Sequence, residues 1–305
     1  MSRQRLAAAI VAALLVLSGC SSNVDPPEPA PSRSSDTSSV PPVTSPTPTG
    51  QPTPDDDDDP PKRPRRALRL ISFNALGHSH TKPGGDKCCE WDQSDVRTAG
   101  LVQALARHDP DIVGLQEMPV IQVRAFKALA GDTYAVYGRV DNQIAYRRDR
   151  FKVVRRSTVE IPYLRGNPRA MPVLRLRDRV TGQALTIINV HNPASTRVAA
   201  RAYRDTAIKR ELDVVRAERR AGRAVVLMGD FNAKDSAFCA VTAAGMTAAN
   251  GGSNKNGVCR PPERMIIDWI FVAGIPVRNY RLDGTVRGTV SDHRMVLATL
   301  VPRRR

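Results

Sequence analysis

Ala224-Val225-Val226-Leu227-Met228-Gly229-Asp230-Phe231-Asn232 is the stretch on which the fold turns. Five consecutive apolar residues with β-branched Val among them read as a short strand buried on both faces. A strand of that kind belongs inside a sheet that is covered above and below. It runs straight into a glycine, a carboxylate and an amide. Unpaired buried charge is costly, so the carboxylate at the end of this strand calls for a partner, a ligand or a chemical task.

Working outward, the same pattern recurs. Leu68–Phe73 reads as a buried strand ending at Asn74, and Ile112–Leu115 as another running into Gln116-Glu117. Val173–Arg177 and Ala184–Val190, joined by a turn at Thr181-Gly182, read as a hairpin whose second strand ends in His191-Asn192. Asp268 interrupts the apolar run Met265–Val272, and Ser291-Asp292-His293 precedes a last strand, Met295–Val301. Further strands are expected at Tyr134–Tyr137, Gln143–Tyr146, Phe151–Val159 and Asn279–Leu282. Ser94 is placed to cap a helix through about Arg107, which Asp109-Pro110 breaks. A short helix is expected near Val120–Leu129. Ser195 is placed to cap the longest helix, to about Arg220. Many strands with a few long helices argue an α+β or α/β sandwich, its central sheets covered outside by helices.

Composition divides the chain into three parts. Residues 1–20 carry a basic start (Arg3, Arg5), a short apolar run and Leu17-Ser18-Gly19-Cys20. The run is too short to span a bilayer and fits a signal-peptide core. The last four residues resemble a bacterial lipobox, which implies lipidation at Cys20 and an exported protein anchored on the outer face of the cell membrane. Residues 21–66 are Pro, Ser, Thr and acid, including Asp55–Asp59. Such a segment buries no apolar surface and reads as a disordered tether reaching about 40 Å. Residues 67–305 form the expected folded domain. From residue 61 onward 43 basic residues face 22 acidic ones, a balance that favours polyanions or anionic surfaces. Beyond Cys20, the four cysteines Cys88, Cys89, Cys239 and Cys259 fit two disulfides in an exported domain, with three pairings open.

Each polar strand end is ordinary alone, since a lone Glu in a loop or a lone buried His is usually structural. Together and in this order they resemble the endonuclease/exonuclease/phosphatase superfamily, in its deoxyribonuclease I-like and sphingomyelinase-like branches alike, over residues 67–302. The resemblance implies a four-layered α/β sandwich of two packed mixed β-sheets flanked by helices, with the site at one edge. It implies a hydrolase of phosphoric ester bonds using Mg²⁺ (Mn²⁺ or Ca²⁺ as alternatives), a hard ion suited to carboxylate and amide oxygens. On this resemblance Asn74, Glu117 and Asp292 belong at the metal. Asp230 and Asn232 orient water and phosphate, His293 contacts the phosphate with Asp268 as its carboxylate partner, and His191 is a second catalytic histidine.

The implied activity is that of a phosphodiesterase on the cell surface, first of all a nuclease of low sequence specificity acting as a monomer on nucleic acid. A phospholipid (sphingomyelinase-like) or sugar-phosphate phosphodiesterase or phosphatase is the alternative enzyme, and a non-catalytic surface binding module the alternative of another class. No aromatic-rich apolar hairpin of the lipid-inserting kind is present in the sequence. The segment His78–Trp91, with Cys88-Cys89, departs from both branches. Its histidines read either as ligands of a second metal or as part of a flexible polar loop.

Overall fold

The computed structural model describes residues 66–195 and 198–302. The expected signal peptide, the lipidation site at Cys20 and the tether all lie outside the described residues. In chain order the elements are β1 (Leu68–Asn74), α1 (His78–Thr81), α2 (Ser94–His108), β2 (Ile112–Gln116), α3 (Val120–Ala130), β3 (Tyr134–Arg139), β4 (Asn142–Arg147), β5 (Phe151–Pro162), β6 (Pro168–Asp178) and β7 (Ala184–His191). There follow α4 (Val198–Arg220), β8 (Ala224–Asp230), α5 (Asp235–Ala243), β9 (Thr247–Ala248), β10 (Ser253–Lys255), β11 (Val258–Arg260), β12 (Asp268–Ala273), β13 (Val277–Asp283) and β14 (Met295–Leu300).

Two six-stranded mixed sheets carry the fold. One has the order β13-β14-β1-β2-β4-β3 and the other β5-β6-β7-β8-β12-β9. Each contains one parallel pair, β1 with β2 and β7 with β8, and is otherwise antiparallel. The strand alternation of β8 shows why the layers form. Val226 and Met228 point into the core between the sheets, with Leu70, Ile112, Ile187 and Ile270. Val225 and Leu227 point the other way, into a core under α4 and α5 with Ile208, Leu212, Phe238 and Phe271. The outer face of the first sheet is closed by α2 and α3 through Leu101, Leu105 and Phe126. These are the four layers of the expected α/β sandwich.

Several local expectations change. Ser94 is the first residue of α2 and makes no cap; its hydroxyl meets His78 Nδ1 at 2.9 Å. The longest helix begins at Val198, beyond Ser195. The strand expected from Met265 begins only at Asp268, where pairing with β8 starts. Of the two expected disulfides one forms, Cys239–Cys259, tying α5 to β11. Cys88 and Cys89 are free, their sulfurs 2.9 Å apart. Neighbouring Cα atoms stand about 3.8 Å apart, closer than the 4.4–6.8 Å that disulfides favour.

Candidate active site

Strand register does most of the assembly. In the second sheet His191 of β7 lies opposite Asp230 of β8, and Asp268 of β12 lies opposite the same Asp230. Three polar side chains therefore form one row across three neighbouring strands. In the first sheet Asn74 lies opposite Gln116, so Glu117 follows at the adjacent strand end. Asn74 Nδ2 spans the gap between the sheets, donating to Glu117 Oε1 at 3.0 Å and to Asp230 Oδ2 at 3.2 Å. The loop between β13 and β14 adds Asp292 and His293, and Ser291 Oγ pins it by donating to the Asn74 carbonyl at 2.7 Å.

The backbone here is unusual where the sequence is most distinctive. Gly229 has φ 144°, and a Cβ on it would sit 1.9 Å from the Val190 carbonyl oxygen, so only glycine lets β8 lie this close to β7. Glu117 (φ 51°) and Asn232 (φ 48°) occupy the left-handed region. Such residues store strain and cluster at functional sites. Asn232 is held by its backbone N–H to Asp230 Oδ1 at 2.9 Å and by Nδ2 to the Asn192 carbonyl at 2.9 Å.

His293 Nδ1 donates to Asp268 Oδ2 at 2.9 Å, which leaves Nε2 facing the cleft. Burial pushes the Asp268 carboxyl up, helped by the charge of Asp230 and opposed by His293, to about 6. Burial pulls the His293 imidazole down, but the bond to Asp268 and the charges of Asp268, Asp230 and Asp292 outweigh it and raise it to about 9. Near neutral pH the two form a charged, hydrogen-bonded pair. Two imidazole nitrogens, His191 Nε2 and His293 Nε2, stop 3.8 and 3.9 Å from Asp230 Oδ2. Both distances exceed a hydrogen bond, so neither nitrogen is bonded to Asp230.

Two groupings suggest themselves for a cation. Asp230, Asp268 and His293 offer atoms within 4.8 Å of one another. An ion there would take the lone pair of His293 Nε2 and so compete with the proton that Asp268, Asp230 and Asp292 favour on that imidazole. Glu117 and Asp292 are the other grouping, carboxylates of the kind that a hard divalent ion takes singly or in pairs beside its own waters. Nitrogen-bearing side chains already stand against both: His80 Nε2 is 3.4 Å from Glu117 Oε2, and the Lys87 amine pairs with Asp292. Burial works against the Glu117 anion, yet His191, the Asn74 amide and the Gly77 N–H hold its carboxyl below the ordinary range. Burial likewise opposes the Asp292 anion, and the Lys87 bond and the His293 charge keep it low. Asn74, also expected at the metal, turns its nitrogen to the carboxylates of Glu117 and Asp230, and its oxygen accepts from Leu76 N–H at 3.1 Å.

All eight expected residues gather at this one edge of the sandwich. Others that sequence reasoning passed over join them. Tyr163 packs edge-on against His191 with ring centres 5.9 Å apart, and Arg169 lies 4.1 Å over the Tyr163 ring. Tyr163 follows the last residue of β5, the same strand-end position that marked the other site residues. Lys234, Arg287 and Arg294 border a cavity of about 430 Å³ beside Asp268, Asp292 and His293. They lie next to recognised residues, but nothing in their local pattern distinguishes them from other exposed basic residues.

The sequence model of the Endonuclease/Exonuclease/phosphatase family matches residues 71–293. No curated protein matches the sequence itself. Among solved structures, the catalytic domain of human Nocturnin, determined with a bound sulfate anion, superposes with a TM-score of 0.61 at 17% identity, covering 77% of this chain and 94% of that one. An endonuclease/exonuclease/phosphatase from Bacteroides vulgatus gives 0.59 at 20% identity, with 77% and 99% covered. A mannosyl-6-phosphatase of Bacteroides thetaiotaomicron gives 0.59 at 21% identity, with 77% and 100% covered. At these identities the likeness is one of fold.

Proposed function

Since the chain belongs to the endonuclease/exonuclease/phosphatase family, whose members hydrolyse phosphoric esters, we propose that it is a divalent-metal-dependent phosphodiesterase, exported and held at the outer membrane face through Cys20, and that it cleaves nucleic acid with little sequence preference. The observation that carries the chemistry is the convergence of the Asp268–His293 pair, Asp230 and Glu117 on one cleft. Glu117 and Asp292 hold the ion, Mg²⁺ first among the candidates, with Asn74 orienting Glu117. When bound, the ion supplies positive charge to the phosphoryl oxygens.

The remaining work falls to protein groups. His293, protonated and fixed by Asp268 through Nδ1, presents Nε2–H to a phosphate oxygen. His191 adds a second imidazole on the other side of Asp230. Asp230, with one oxygen fixed by the Asn232 N–H and the other toward the cleft, accepts the proton of the attacking water. Asn232, braced by the Asn192 carbonyl, orients water and phosphate.

Choice of substrate rests on charge. Lys234, Arg287 and Arg294 beside the cleft, within a strongly basic domain, suit a polyanion whose neighbouring phosphates extend past the scissile one. The test is a panel assay of the purified protein on DNA, RNA, sphingomyelin and nitrophenyl phosphates with Mg²⁺, Mn²⁺ or Ca²⁺, across a salt series. Nucleic-acid cleavage whose apparent affinity falls about tenfold or more between low and moderate salt is expected. Salt-insensitive lipid hydrolysis without nuclease activity would overturn the substrate reading, and full activity in chelator would overturn the mechanism. Mass spectrometry of the mature N-terminus checks the anchor: an unmodified Cys20 would refute it.

A further inference from the structure

The segment from His78 to Trp91 is not a loose loop. His78 N–H donates to Gln122 Oε1 at 2.8 Å. The buried Arg97 guanidinium ties Thr81 Oγ1 (3.0 Å) and the Asp92 carbonyl (3.0 Å) to the carbonyls of Ala75 (2.9 Å) and Val290 (3.0 Å). The segment closes on itself through Lys87 N–H to the His80 carbonyl at 2.9 Å. A Cβ at Gly85 would sit 2.2 Å from that same carbonyl oxygen, so glycine is required for the closure. This framework brings two side chains of the segment against two acidic groups of the cleft, the His80 imidazole to Glu117 and the Lys87 amine to Asp292.

His80 is held in a particular way. Its Nδ1 is bonded to Asp86 Oδ1 at 2.7 Å, and its Nε2 points at Glu117 Oε2 from 3.4 Å. That second distance is long for a hydrogen bond. It is the separation of two neighbouring ligands on one ion, about 3.0 Å at octahedral and 3.4 Å at tetrahedral angles for bonds of about 2.1 Å. A carboxylate on one ring nitrogen fixes the tautomer that offers the other nitrogen's lone pair, the usual support of a metal-ligating histidine.

We propose that His80 is a ligand of the divalent ion bound at Glu117, oriented by Asp86, and that this nitrogen shifts the site's preference from Mg²⁺ toward Mn²⁺ or Zn²⁺. The inference rests on the metal reading of Glu117 given above. The experiment is a Mn²⁺ titration of the purified full chain, read by calorimetry and by pulsed electron paramagnetic resonance, in which a coordinated imidazole gives nitrogen modulation. Wild type should show the nitrogen signal. His80→Gln should lose it and bind Mn²⁺ about tenfold or more weakly, with the thermal unfolding of the metal-free protein unchanged. Asp86→Asn, at an exposed position, should keep the signal and weaken Mn²⁺ binding about tenfold or more. Nitrogen modulation that persists in His80→Gln, or its absence from wild type bound to Mn²⁺, overturns the inference. If Mn²⁺ binding without nitrogen still depends on Glu117, the inference alone fails. If Glu117→Gln leaves Mn²⁺ affinity unchanged, the metal reading fails with it.

Discussion

The two sides of the cleft are balanced differently. On the second sheet, His191, Asp230 and Asp268 are set in a row by register, and the carboxylates find their partners in Asn74, the Asn232 N–H and His293. On the other side Glu117 and Asp292 are met by His80 and Lys87, side chains of a segment remote from both in sequence. The first side has its acids met by protein groups, two of which, Asn74 and His293, reach over from the other sheet. The second is an anionic site faced by two groups that one segment lends, the Lys87 ammonium and the His80 imidazole. A site built this way can exchange lent charge for a bound ion, whereas the Asp268–His293 pair has nothing to exchange.

If that contrast holds, breaking the first side has the largest effect. Asp268→Ala and His293→Ala should each lower kcat by roughly 10³-fold or more, with the fold kept, and the double variant should be little worse than the poorer single, because paired residues act as a unit. Single-turnover hydrolysis measures this. A double loss equal to the product of the single losses would mean that the two act separately.

On the second side, Glu117→Ala should cost about a hundredfold or more in metal-stimulated turnover, the scale of charge stabilisation an ion supplies. Chelator should reduce wild type toward the same level. Excess Mg²⁺ should restore wild type and leave the variant low.

The contrast also marks what the sequence could reveal. Apolar runs such as Ala224–Met228 and Ile112–Leu115 announce their strands, and the polar residue closing each run announces the site, because both signals are local. Register then follows from sheet pairing and needs no further cue. The His80–Glu117 approach is different. It joins residues of a short turn and a strand end through a framework of Arg97, Thr81 and Gly85, and no periodicity encodes that. For the same reason α5, β9 and the β10–β11 hairpin are not legible: a nine-residue helix and strands of two or three residues are too short to show a period. Cys239–Cys259 lies in that stretch, and four cysteines alone could not distinguish it from the other pairings.

Behind the first side, α4 carries two glutamates with opposite balances, and they test how firmly that side is supported. Glu218 is buried, but hydrogen bonds from Arg175, Arg223 and Thr186 overcome burial and hold its carboxyl at about 2. Glu211 is wholly buried, and burial raises it to about 8 against the weak opposition of the Asn192 amide. Asn192 in turn carries the carbonyl that braces Asn232. The unfolded chain releases the Glu211 proton near 4.5, before the folded one does. Its contribution is therefore full below pH 4.5 and lost as pH rises toward 8, while that of Glu218 is full above 4.5 and lost as pH falls toward 2. Glu211→Gln should gain stability over wild type across pH 4.5–8, on the order of a few kcal/mol at the upper end. Thermal unfolding at several pH values checks it. A difference that does not change with pH would show that Glu211 is already ionised in the folded protein.

The smallest effect expected concerns the lent charge itself. Lys87 is about a third exposed, as is Asp292, so their ion pair is screened and worth about 1 kcal/mol at most. A divalent ion arriving at Asp292 must displace that amine or share the carboxylate with it. Lys87→Ala removes the competitor and should tighten metal binding by about fivefold at most, the ratio that such an energy allows. Calorimetric titration with Mn²⁺ at low salt gives the comparison, and added salt should narrow it, since screening weakens what Lys87 contributes. The opposite change, weaker binding in Lys87→Ala, would show that Lys87 holds Asp292 in place for the ion. In that case the second side would be as firmly paired within the protein as the first, and the contrast between them would reduce to the kind of group each one holds.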